Sequence, residues 1–206
     1  MKPLFSYFYP VKNTHRIAVY CGASAGNSTE YRKMAEETGT LIANAGYELV
    51  YGGGKVGMMG IVADAMLQAG ANVTGVIPHF LFNMEVGHEG VTELIKVETM
   101  HERKMKMFEL ADAFLALPGG FGTMEELFEM LTWAQLGLHS KPICVLNCLG
   151  FYDGLQDQTH RMEQSGFLHK NTQALLHFAE TPADAIAYLS QAQLPKRPEI
   201  LTKRNT

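Results

Sequence analysis

Cysteine is scarce in this chain, and its three copies, Cys21, Cys144 and Cys148, form an odd set with no metal-type spacing. That argues against a disulfide framework or a cysteine zinc site. Cys21 and Cys144 lie in or beside apolar strand-like runs, so buried free thiols in a reducing compartment are expected, with a catalytic thiol the lesser reading. Long apolar runs are also missing: nothing approaches the roughly 20 residues that span a bilayer. The apolar patch in residues 1–10 is too short and too aromatic for a signal peptide. A soluble, cytoplasmic protein with no membrane partner is expected. Excess basic charge is lacking too. The formal net charge of −4 argues against nonspecific nucleic-acid binding, and the basic residues from Lys196 to Arg204 read as a solvated tail. No repeat, low-complexity tract or linker divides the 206 residues, of which 47% are apolar. We expect one catalytic domain at 16–191, between an N-terminal extension at 1–15 and a tail at 192–206.

What the chain does have is alternation. Strand-like runs at 17–21, 47–51, 73–77, 94–97, 113–117 and 143–147 alternate with helical patterns at 29–45, 58–68, 100–110, 123–138, 151–164 and 182–189. Residues 174–178 read as a last strand, and residues 79–90 show no clear period. Such alternation predicts an α/β fold: a Rossmann-like, open parallel sheet with helices on both faces.

Three glycine-rich turns follow strands: Cys21-Gly22-Ala23-Ser24, the stretch from Gly52-Gly53-Gly54 to Gly60, and Pro118-Gly119-Gly120-Phe121-Gly122-Thr123. In an open parallel sheet these fall at the carboxyl ends of the strands, where ligands bind. Glycine lets a phosphate approach the backbone, and the free N–H groups at a helix start attract anions. The dinucleotide fingerprint GxGxxG after the first strand is absent, as is the triphosphate loop GxxxxGK[ST]. The turns together point to a single nucleotide or sugar phosphate. Thr123 can add a hydroxyl or cap the helix that follows. Glu125 and Glu126 read equally well as first-turn helix charges or as chemistry, since carboxylates do not help to bind phosphate. Arg103, Lys104 and Lys106 oppose the dipole of their helix. Arg103 therefore reads as a bidentate grip on phosphate or ribose and Lys104 as a second charge, whereas Lys106 reads as solvated surface. His101 is the weaker candidate.

On these residues the chain resembles the LOG family, the cytokinin riboside 5′-monophosphate phosphoribohydrolases. The resemblance runs from Val19 to about Tyr152. Residues 118–126 meet the pattern PGGxGTxxE, residues 52–60 meet GGGxxGxMG, and Met100-His101-Glu102-Arg103-Lys104 and Thr132-Trp133-Ala134-Gln135-Leu136-Gly137 continue it. It departs mildly at Ala23 and Met58, and most at 80–90, which could border the base. The resemblance implies hydrolysis of the N-glycosidic bond of an adenine-type nucleoside 5′-monophosphate to free base and ribose 5-phosphate, without a metal or other cofactor. It implies catalytic roles for Arg103 and Glu126. Substrate contacts are expected from Ser24, Gly53, Gly54, Lys104, Gly119, Gly120, Gly122 and Thr123. Glu125 would orient Arg103 or simply open the helix.

Two further readings stay open. A nucleotide or cofactor carrier would use the same loops without turnover. A decarboxylase, a label often attached to this family, would need pyridoxal phosphate on a lysine, and no lysine here is marked for it. The resemblance implies a homodimer with active sites near the interface as the minimum unit, with a higher oligomer such as a hexamer the alternative. The wide apolar surface of the helix from Glu125 to Leu138 and the aromatic start at Leu4 to Tyr9 likewise point to a homodimer.

Overall fold

The computed structural model describes residues 15–84, 87–168 and 172–192. Seven short strands form one sheet: β1 (Arg16–Tyr20), β2 (Glu48–Tyr51), β3 (Val73–Pro78), β4 (Glu93–Val97), β5 (Ala113–Ala116), β6 (Ile143–Leu146) and β7 (His177–Ala179). Their order is β4-β3-β2-β1-β5-β6-β7, and each neighbouring pair is parallel. The helices are α1 (Thr29–Asn44), α2 (Gly57–Gln68), α3 (His79–Met84), α4 (Met100–Leu110), α5 (Phe121–Gln135), α6 (Asp153–Gln164) and α7 (Pro182–Gln191). This is the Rossmann-like α/β architecture expected from the alternation.

The strands read as continuous apolar runs because both faces of the sheet are covered. In β1, Ile17 and Val19 join the core beneath α1, α2 and α7, while Ala18 and Tyr20 join the core beneath α4 and α5. The β4 edge is half exposed, and there Glu93 and Lys96 are exposed, which discourages pairing with another sheet. The chain builds outward from β1 through β4, then returns to place β5 on the other side of β1. That reversal between β1 and β5 is the switch point at which open sheets bind ligands.

The structure corrects three expectations. Residues 173–175 form a 3₁₀ turn, and the last strand is displaced to 177–179, where it pairs with β6. Leu175 and Leu176 are buried in the α4/α5 core instead of extending the strand. Within 79–90 lies α3, a helix of 6 residues and too short to show a period. Finally, α5 starts at Phe121 with Gly120 as its N-cap, so its first turn holds no acidic residue. Glu125 and Glu126 fall in the second turn, where the dipole adds little. Their reading as ordinary first-turn charges fails. The aromatic start at Leu4 to Tyr9 and the basic tail lie outside the described residues.

Candidate active site

The three glycine turns meet. Gly22 donates its N–H to the Pro118 carbonyl at 3.1 Å and accepts from the Met58 N–H at 3.1 Å. A Cβ on Gly57, whose φ is +66°, would overlap the carbonyl of Ala23. A Cβ on Gly119 would overlap the Thr123 hydroxyl and approach the Gly22 nitrogen to 2.9 Å. These glycines are required by the packing of the loops on one another. Gly120 and Gly122 differ: nothing lies within 4 Å of a Cβ at either. Tyr152 supports the cluster from below, donating its buried hydroxyl to the Leu117 carbonyl at 2.7 Å, just before the loop begins.

The helix starts divide in the same way. Ser28, Thr99 and Thr181 cap α1, α4 and α7 by accepting backbone N–H bonds. The helices α2, α5 and α6 begin at Val56, Gly120 and Tyr152 with no side-chain cap, the first two of them directly after glycine loops. At α5 the first-turn N–H groups have no side-chain cap and a Cβ on Gly120 would meet nothing within 4 Å, which suits an anion site. Thr123 is buried with its hydroxyl against Gly119 and is not the cap. Ser24 is exposed, its hydroxyl accepting from the Gly26 N–H at 3.3 Å within its own turn.

Beside this loop α4 and α5 bring together the charged residues expected to act. Arg103 and Glu126 are both buried, and Nη2 of the arginine stands 4.0 Å from Oε1 of the glutamate. The guanidinium lies against Gly52: a Cβ there would overlap Nη2 and stand 3.0 Å from Cζ. Gly53 and Gly54, the expected contacts of that loop, are buried on its far side. Gly53, with φ +77°, packs on Ile77 and Leu94, and Gly54 bridges to Gly87. His88 fastens this segment, its backbone N–H bonding the Gly53 carbonyl at 2.9 Å and its Nε2 meeting Asp64 at 2.9 Å.

Lys104 points inward with Arg103, but its ammonium is held by Glu125 and, at 3.1 Å, by Glu129. Burial works against its charge, yet the hydrogen bonds to both carboxylates outweigh that and raise its pKa. Tyr20 lies beneath the group; burial first, and then the carboxylates of Glu126 and Glu129, push its hydroxyl pKa upward. Cys21 is likewise held as a thiol, by burial and by Glu126, which counts against a catalytic thiolate. Lys106 is on the solvated side, near Glu109, and His101 is exposed.

Gly52, Tyr20 and Glu129 were not singled out from the sequence. Gly52 lay within the glycine-loop match at 52–60, and Glu129 lies four residues after Glu125 and hence on the same helix face, whereas Tyr20 carried no signal. Among the described residues, no group of three or more His, Cys, Asp or Glu is arranged to hold a metal ion.

The sequence profile described as "Possible lysine decarboxylase" matches residues 59–189. Cytokinin riboside 5′-monophosphate phosphoribohydrolase LOG1 of Arabidopsis thaliana is 40% identical over 190 residues, covering 92% of this chain and 89% of the relative. The enzyme named LOG in Oryza sativa subsp. japonica is 44% identical over 176 residues, covering 85% of this chain and 73% of the relative. The chain belongs to the LOG family. Solved structures share the fold of this LOG-family chain at lower identity. The molybdenum cofactor carrier protein of Chlamydomonas reinhardtii superposes with a TM-score of 0.63 at 22% identity, over 86% of this chain and 96% of that one. The molybdenum cofactor binding protein of Rippkaea orientalis gives 0.65 at 22%, over 85% and 94%. At that identity the likeness carries the fold alone.

Proposed function

We propose that this LOG-family chain hydrolyses the N-glycosidic bond of adenine-type nucleoside 5′-monophosphates, cytokinin riboside 5′-monophosphate or AMP, to free base and ribose 5-phosphate. The observation that carries this reading is the buried Arg103–Glu126 pair beside an uncapped, glycine-led helix start at the sheet's switch point. In this reading the N–H groups around Gly119, Gly120, Gly122 and Thr123 bind the 5′-phosphate, and Arg103 holds the ribose phosphate in line. As the bond from C1′ to the base lengthens, positive charge develops on the ribose ring, and the Glu126 carboxylate stabilises it. The same carboxylate takes a proton from water as its oxygen bonds to C1′. The base leaves with the bond's electron pair and is protonated. A free base and ribose 5-phosphate result, with no change of oxidation state.

The test is incubation of the purified protein with AMP and with N6-substituted AMP, reading base release by chromatography. Base should appear, and Glu126→Ala should lower turnover by about 10²–10³-fold while AMP still binds. No release from any purine monophosphate by well-folded protein would refute the proposal. A second reading, a carrier that binds without turnover, draws on the fold shared with the cofactor carriers. Under it Glu126→Ala would change nothing but binding. A decarboxylase would need a lysine free to carry pyridoxal phosphate, and Lys104, beside Arg103, is held by two carboxylates.

We also infer a homodimer in a reducing, cytoplasmic setting. Phe128, Leu136 and Leu138 of the α5 region are exposed, and Phe121 at its start is 96% exposed, an apolar surface better covered by a second copy. Cys21, Cys144 and Cys148 are free thiols. Among the described residues no helix is long and apolar enough to cross a membrane.

A further inference from the structure

The charges around Glu126 are unevenly matched: α5 presents Glu125, Glu126 and Glu129, against which α4 sets only Arg103 and Lys104. A phosphate monoester must approach the start of that same helix, and each uncompensated carboxylate repels it. The side chain of Lys104 is 8% exposed and its ammonium spans one turn of α5, engaging Glu125 and Glu129 together. Among the described residues, Oε2 of Glu129 and Nε of Arg103 are buried without a hydrogen-bond partner. Glu129 is thus a partly buried carboxylate, one oxygen enclosed and the other held by Lys104. Arg103 is the remaining cation of the cluster, and both residues act electrostatically on the Tyr20 hydroxyl.

We propose that Lys104 is a positioning residue and not a phosphate ligand. It neutralises Glu125 and Glu129 and fastens α4 to α5, so that Arg103 stays aimed at Glu126 instead of being captured by Glu129. This inference rests on the proposed function for its consequence in binding, but the fastening is independent of it. Removing the buried Lys104 ammonium leaves the partly buried Glu129 carboxylate uncompensated, whereas removing both carboxylates with it relieves the imbalance.

The test is a mutant cycle of wild type, Lys104→Met, Glu125→Gln/Glu129→Gln and the triple variant. Each is read by urea unfolding and by AMP affinity in calorimetry. Lys104→Met should weaken AMP binding about tenfold, from the extra negative charge beside the phosphate, and lower the unfolding midpoint. The triple variant should recover both, with AMP affinity within about threefold of wild type, because coupled neighbours are non-additive. A folded triple variant that binds AMP as weakly as Lys104→Met would overturn the proposal, since the ammonium would then touch the nucleotide. So would Lys104→Met indistinguishable from wild type, or a triple variant that fails to fold. If Lys104→Met itself fails to fold, the triple variant against wild type decides by the same criteria. If wild type neither binds nor cleaves purine monophosphates, the proposed function fails. The unfolding arm then still decides whether Lys104 acts through Glu125 and Glu129.

Discussion

Gly52→Ala adds one methyl group and should disable the site while sparing the fold. Gly52 is not among the glycines with positive φ, so alanine can adopt its backbone conformation and even loses less entropy on folding. The added Cβ would overlap Nη2 of Arg103 and stand 3.0 Å from both Cζ of Arg103 and Sδ of Met59. Comfortable contacts of this kind lie at about 3.5–4.0 Å, so the guanidinium carbon must retreat by about 0.5–1 Å and Nη2 by more. The guanidinium is the far end of a flexible side chain, so the strain is relieved by moving it away from Gly52. Its buried setting opposite Glu126 makes that shift a change in the geometry of the proposed catalytic pair. A misplacement of about 1 Å can cost about 10²-fold in rate. The stability cost is that of mild overpacking, about 1–2 kcal/mol, or about 2–8 °C in Tm. The assay is base release from AMP under saturating conditions, alongside a thermal melt. Wild-type kcat in Gly52→Ala would refute the reasoning, because it would mean that Arg103 need not stand where the structure puts it.

The other predictions separate fold from site in different ways. Gly120→Val places a side chain in open space and should leave the melting curve within about 2 °C of wild type, yet weaken nucleotide affinity by obstructing the phosphate; unchanged affinity in calorimetry counts against the phosphate loop. Burial lowers the pKa of His139 from 6.5 to about 4, its Nε2 meeting the Met130 carbonyl at 2.9 Å. A depressed histidine pKa means that the unfolded chain binds more protons between these values. Stability should therefore fall as pH drops from 6.5 to 4, by up to roughly 3 kcal/mol. Urea midpoints across that window should slope less steeply in His139→Gln, and equal slopes would show the drop to lie elsewhere. Light scattering of dilute protein should give a mass well above the 22.8 kDa of one chain, and a stable monomer would refute the dimer.

Much of this was legible locally. The parallel sheet was readable because short apolar runs buried on both faces alternate with amphipathic stretches, and this pattern survives in one dimension. The loop after β5 was readable because three glycine-rich turns fall at equivalent strand ends, and a helix follows this one directly. What misled was of two kinds. Boundaries moved where a neighbour decided them, as when Leu175 and Leu176 turned into the core and β7 took its register from β6. Roles moved where the deciding contact crossed elements. Lys104 reads as a free cation beside Arg103, and only the packing of α4 on α5 shows its ammonium bound to Glu125 and Glu129.

The sequence by itself determined the layer architecture and the glycine turns at the strand ends. Each of these follows from periodicity or from the backbone freedom of particular residues, and both are local properties. Tertiary structure alone decided which glycines serve packing and which face open space, why Gly52 admits no side chain, and how three carboxylates share two cations. Those outcomes depend on distances between segments tens of residues apart, which no local pattern encodes.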